Sequence, residues 1–207
     1  MALIRLIFPM RPTSSPSART ASISCWRWCL LLLAFGLFAS CAGSKQYYLL
    51  TPEGPAPDSD GPGVGVGPVS IAAYLDRSNL VFQEEGNRLA VAESHRWAGE
   101  LEDNIASVLA TNLGRRLNTG NVRTYPWIDD SGIRYQVSVD IRQLHGTPQG
   151  DAFLEAAWRV YSLPDRRMIS TGSWSGTEAM EADGYDALAA AESRLLARLA
   201  SRISDSL

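Results

Sequence analysis

Ile133-Arg134-Tyr135-Gln136-Val137-Ser138-Val139-Asp140-Ile141-Arg142 is the stretch that decides the fold class. Successive side chains of a strand point to opposite faces. Ile133, Tyr135, Val137, Val139 and Ile141 then line one face, and Arg134, Gln136, Ser138, Asp140 and Arg142 the other. Such a period predicts a strand with one buried face, running from Ile133 to Leu144. Asp151 to Leu163 and Met168 to Thr177 read as two further strands. They are joined by Pro164-Asp165-Arg166-Arg167, a turn by its Pro-Asp start. The three predict a meander.

Two helices bracket this meander. Downstream, Tyr185, Leu188, Ala191, Leu195, Leu199 and Ile203 recur at three- and four-residue steps, predicting a helix over 185–204. Arg194, Arg198 and Arg202 line another of its faces and are expected to be solvated. Upstream, Trp97, Leu101, Ile105, Val108, Leu109, Leu113 and Leu117 predict a helix from Arg96 to Asn118, ended by Gly120. Acids (Glu100, Glu102, Asp103) crowd its start and Arg115-Arg116 its end, the polarity that suits the helix dipole. Residues 121–125 form a short strand stopped by Pro126.

Before the first helix, Asn79 to Gln83 and Arg88 to Ala92 flank Glu84-Glu85-Gly86-Asn87, a hairpin pattern. Val69 to Leu75 and Tyr47-Tyr48-Leu49-Leu50 read as earlier strands. Between them, residues 52–68 hold five Pro and five Gly and are expected to be a loop. Gly63-Val64-Gly65-Val66-Gly67 falls within it. It lacks the strand–turn–helix context of a phosphate-binding loop, so it is read as linker. This order predicts an α/β fold, a mixed β-sheet flanked by two main helices.

The 207 residues allow one domain plus an appendage, and the composition (45% hydrophobic, 20% charged) is that of a globular chain. The formal net charge of −3 argues against a nucleic-acid partner. The charge is unevenly distributed. Residues 1–40 carry Arg5, Arg11, Arg19 and Arg27 and no acid, leaving a net of −7 for 41–207.

Residues 29–39, Cys-Leu-Leu-Leu-Leu-Ala-Phe-Gly-Leu-Phe-Ala, are eleven uncharged and mostly apolar positions. A bilayer span needs about 20. A basic leader, a short apolar core and then small residues is an export signal. Met10 offers a second start that would give a leader of more usual length. Leu37-Phe38-Ala39-Ser40-Cys41 resembles a bacterial lipobox, with Phe38 where Leu is commoner. Residues 1–40 are therefore expected to be removed and Cys41 to be acylated. Cys25 and Cys29 lie in the removed segment, so the mature chain keeps Cys41 alone and has no internal disulfide. Two or more acyl chains make such an anchor stable. Residues 42–46 form a short tether, 47–207 a single periplasmic domain, and Ala42, not Asp, favours the outer membrane.

Catalytic signatures fail on inspection. His95 and His145 have no neighbouring ligand spacing and are expected at the surface or at caps, so no metal site is predicted. Gly172-Ser173-Trp174-Ser175-Gly176 has Trp where a nucleophile elbow has Ser. Asp129-Asp130 offers too few acids for a Ca²⁺ loop. Glu84 and Glu85 are adjacent and point apart. The chain is read as a non-enzyme with no cofactor. Among Trp97, Trp127, Trp158 and Trp174, Trp127 in the loop Pro126-Trp127-Ile128 is the candidate exposed anchor for a partner.

Several strings, in order, resemble the ABC-type transport auxiliary lipoproteins, the PqiC-like family. They are Tyr47-Tyr48-Leu49-Leu50, Tyr74-Leu75-Asp76-Arg77 with Leu80-Val81, Arg96-Trp97-Ala98 leading to Leu101, and Ala157-Trp158. Gly99-Glu100 departs from the Pro often seen near that helix start. The resemblance implies a fold of the anticodon-binding-domain or TolB amino-terminal type. It also implies a non-enzymatic outer-membrane lipoprotein that docks the MCE-domain protein of an inter-membrane lipid transport system, with a homo-oligomer to match the MCE ring. A lipid-binding carrier and an assembly or pilot lipoprotein of another outer-membrane complex are the competing readings.

Overall fold

The computed structural model describes residues 44–207, so the expected signal segment, the choice between Met1 and Met10, and Cys41 lie outside the described residues. Among the described residues the fold is mixed α/β: an eight-stranded sheet with two helices. The strands are β1 (Gln46–Tyr48), β2 (Gly63–Ile71), β3 (Asn79–Gln83), β4 (Leu89–Trp97), β5 (Val122–Thr124), β6 (Ile133–Gly146), β7 (Asp151–Ser162) and β8 (Arg167–Ala179). The helices are α1 (Leu101–Arg116) and α2 (Tyr185–Ser204).

β6 organises the sheet because it is long enough to serve two neighbours along one edge. β7 pairs antiparallel with its other edge, and β8 continues that meander. Along the shared edge, β2 runs parallel to Ile133–Ile141 and carries β5 beyond it. Where β2 departs, β3 takes over at Phe82–Gly146, followed by antiparallel β4 and then β1. Both helices pack together over one face, α1 against β2 and β5, α2 against β6, β7 and β8.

The alternation read from the sequence produces this layering. Val137, Val139 and Ile141 are buried in the helix-facing core, and Arg134 and Arg142 on the opposite face are exposed; Ile133, at the start of the strand, is buried beside Gly65 on the loop-covered face instead. From β7, Leu154, Ala156, Trp158 and Val160 join the core. The apolar stripes of the two helices complete the layer: Ile105, Leu109 and Leu113 of α1 are fully buried, as are Leu195, Leu199 and Ile203 of α2. Burying each such side chain contributes about 1.5–3 kcal/mol.

Four expectations need correction. Residues 63–67 are not loop but the first half of β2. The alternation places Val64 and Val66, both fully buried, in the helix-facing core, while the glycines face outward beneath a loop. A loop by composition is thus a strand whose outer side chains have been deleted to make room. Second, α1 begins at Leu101; Arg96 and Trp97 end β4, and Trp97 reaches the core from a strand. Glu100 sits extended at the N-cap without a side-chain cap.

Third, the Arg row on α2 is only partly solvated. Arg194 and Arg198 both bind Glu178 at 3.0 Å and donate to the carbonyls of Ala179 and Thr177, fastening the helix to β8. Arg198 also lies 5.1 Å over the Trp174 ring. Fourth, His145 is buried within β6, bonded to Gly146 O and Gln143 Oε1, and His95 belongs to β4.

Between β1 and β2 the chain crosses the crevice between the helices. Three side chains hold it there: Asn104 accepts from Leu50 N at 2.9 Å, Ser193 from Thr51 N at 3.1 Å, and Asn112 from Glu53 N at 2.8 Å. Each satisfies a backbone donor that no strand partner serves.

Candidate partner-binding surface

The loop between β5 and β6, residues 125–132, folds back across the outer face of β2. It can do so because that face is backbone. A Cβ on Gly65 would lie 2.8 Å from the Trp127 ring, one on Gly67 2.5 Å from Tyr125 Cβ, and one on Gly63 would run into Gly132 O. Contacts that short do not occur, so any larger residue would lift the loop away. Tyr125 N donates to Val66 O at 2.8 Å, and its ring meets Trp127 edge-on at 5.4 Å.

Polar bonds fix the rest of the loop. The Arg123 guanidinium donates to Asp129 O at 2.5 Å and Ser131 O at 3.1 Å. The Asp129 carboxylate accepts from Ser131 N at 2.9 Å and from the Ser131 hydroxyl, which hold it below the ordinary carboxylate range. Asn121 donates to Gly132 O at 3.0 Å. A loop so tied loses little entropy on contact with a partner.

Trp127 itself is half-buried, seated on Gly65. The surface it supports is made by its neighbours: Tyr125 is 55% exposed and Ile128 is fully exposed. Trp127, the residue singled out from the sequence, is thus the pedestal of this loop and not its exposed tip. Ile128, an aliphatic residue between a Trp and two acids in a turn, is the signal that marks the tip. Of the other tryptophans, Trp97 and Trp158 are core, and Trp174 is half-buried beneath Arg198.

The remaining candidates are structural where they are found. His95 Nδ1 lies 2.7 Å from the Tyr48 hydroxyl, and its ring stacks on Tyr185 at 3.8 Å. Gly172 and Gly176 leave space for the rings of Trp158 and Trp174. Glu84 pairs with Arg88 at 3.5 Å across the hairpin turn. Among the described residues, no group of three His, Cys, Asp or Glu side chains could hold a metal ion. Among them, too, no helix is long and apolar enough to cross a membrane.

The loop and the first described residue, Ser44, lie towards opposite ends of β6. Residues 125–132 precede Ile133, the start of β6, whereas β3 meets it at Gly146, its finish. β4 runs against β3 and β1 runs with β4, so Gln46 and the preceding Ser44 depart towards the Gly146 end.

Comparison with known proteins adds the family. No curated protein matches the chain. A solved structure of an uncharacterised protein shares 19% identity, covers 79% of this chain and 98% of its own, and superposes with a TM-score of 0.65. One from Xanthomonas campestris shares 16%, with 76% and 92% coverage and a TM-score of 0.59. The PelC dodecamer from Paraburkholderia phytofirmans shares 18%, covering 73% of this chain and 94% of its own at a TM-score of 0.44. The first two carry the same fold. The family model of the ABC-type transport auxiliary lipoprotein component matches residues 47–204, nearly the whole described domain. That family is a transport component and not a known enzyme family. The chain belongs to the family of ABC-type transport auxiliary lipoproteins.

Proposed function

We propose that this protein is anchored through acylated Cys41 in the outer membrane and docks the MCE-domain protein of an inter-membrane lipid transport system. It works as a binding component and catalyses no reaction. The observation that carries the reading is the polarity of the domain: Ser44 departs near one end of β6, and the rigid loop bearing Tyr125 and Ile128 lies near the other. A short tether at the first end leaves the second facing the periplasm. Exposed apolar residues on a fixed loop are the kind of anchor that dominates interface energy. Identical subunits in a homo-oligomer would present several such loops to a ring-shaped partner, and avidity would multiply weak contacts.

Crosslinking followed by pull-down of the full-length protein from envelopes tests this, with Cys41→Ala as the control. Enrichment of an MCE-domain protein with the wild type alone is the expected result. Enrichment of a different outer-membrane machine would overturn the transport reading and leave the family assignment intact.

A further inference from the structure

The end of the sheet from which Ser44 departs carries a cavity that partner docking does not use. It measures about 320 Å³, opens to solvent, and is lined by Phe82, Gly146, Pro148, Met180, Tyr185 and Leu188 among others. Gly146 keeps it open: a Cβ there would lie 3.2 Å from Leu188 and 3.3 Å from Phe82. The size is at the lower bound of small-molecule sites, roughly 300–1,000 Å³. The lining is mostly apolar and suits hydrocarbon. Leu89 and Val91 of β4, towards the same end, are 44% and 40% exposed.

The point at which the chain leaves the domain says what covers this end. Gln46 pairs with His95, whose ring stacks on Tyr185 in the cavity wall. Cys41 is five residues before Gln46, a reach of at most about 18 Å. An anchor there holds this end, and not the Ile128 end, against lipid.

We infer that the cavity takes one acyl chain of a phospholipid from the membrane to which the protein is tethered. The choice of the membrane as neighbour rests on the lipid-anchor reading; the apolar lining does not.

The test uses the full chain with its anchor and a Cys41→Ser counterpart. Each is mixed with vesicles of phosphatidylethanolamine and phosphatidylcholine containing a trace of phosphatidylethanolamine with a diazirine-bearing acyl chain. After irradiation, label is expected on Phe82, residues 146–150 and residues 180–188 in both proteins. Met180→Glu should reduce it at least fivefold, and Ile128→Asp should leave it unchanged. Met180 is half-buried and its backbone N–H bonds to Gly150 O. Should Met180→Glu unfold the domain, Pro148→Arg at the exposed mouth takes its place. Label spread evenly over the surface, label concentrated at the Ile128 end, or label indifferent to both substitutions overturns the inference. Failure of the anchor reading alone has a separate signature: an unmodified Cys41 by intact mass, with the labelling pattern retained.

Discussion

Trp127 rests on Gly65, its ring occupying the space where a Cβ would lie only 2.8 Å away. The pair is a lock between a strand and the loop that crosses it, and it has a thermodynamic signature. Gly65→Ala should destabilise the domain by about 1–3 kcal/mol through overpacking. In the background of Trp127→Ala, the same substitution should cost much less, because the clashing ring has gone. Urea denaturation of the two single variants and the double variant measures this coupling. Additive losses would show that the ring does not seat there.

Ile128 is fully exposed at the tip of that loop. Ile128→Asp should therefore leave the melting temperature within about 2 °C, since surface substitutions usually stay within about ±0.5 kcal/mol. If the proposed docking role holds, it should also weaken capture of an MCE-domain protein by tenfold or more. Trp127→Ala should weaken capture and also lower stability, because it removes the loop's seat on Gly65. A variant at Ile128 that binds as tightly as wild type would move the interface elsewhere.

The elements with clean periodicity are legible from the residues. β6, β7, β8 and α2 fall where alternation or a three-to-four-residue stripe predicts them, because each buries one face against one partner layer. The failures share a cause: a side chain's environment is supplied by a distant segment. Gly63, Gly65 and Gly67 look like linker until the loop at 125–132 is laid over them. Trp97 fits the helical stripe of α1 by spacing yet enters the core from β4. His145 looks like a strand-end residue, but β6 continues through it to Gly146 and buries it. At the candidate site the loop is visible from Pro126-Trp127-Ile128, while the division into pedestal and exposed tip requires the register of β2.

Asn104 stands on the first turns of α1 and holds the buried Leu50 through its backbone N–H. Asn104→Ala would leave that donor unpaired beside the core, at a cost of about 1–3 kcal/mol. Amide exchange at Leu50 should accelerate well beyond the change at Leu109 in the same protein. Equal acceleration at both sites would indicate global destabilisation and not loss of this clasp.

Glu192 gives the fold a dependence on pH. It is 2% exposed, its Oε2 has no hydrogen-bond partner, and burial pushes its carboxyl up to about 8. Tyr74 is close enough for the Glu192 charge to raise its hydroxyl too, although burial is the larger cause. The folded chain keeps this proton where the unfolded chain has released it, so folding takes up a proton between about pH 5 and 8. Stability should fall by about 1.4 kcal/mol per pH unit across that window from this group and level off above it. Glu192→Gln keeps the shape and removes the ionisation. It should match wild type near pH 5 and exceed it clearly at pH 8, as read from urea midpoints at the two values. The same difference at both pH values would mean that the carboxyl is ionised throughout, with a partner that satisfies it.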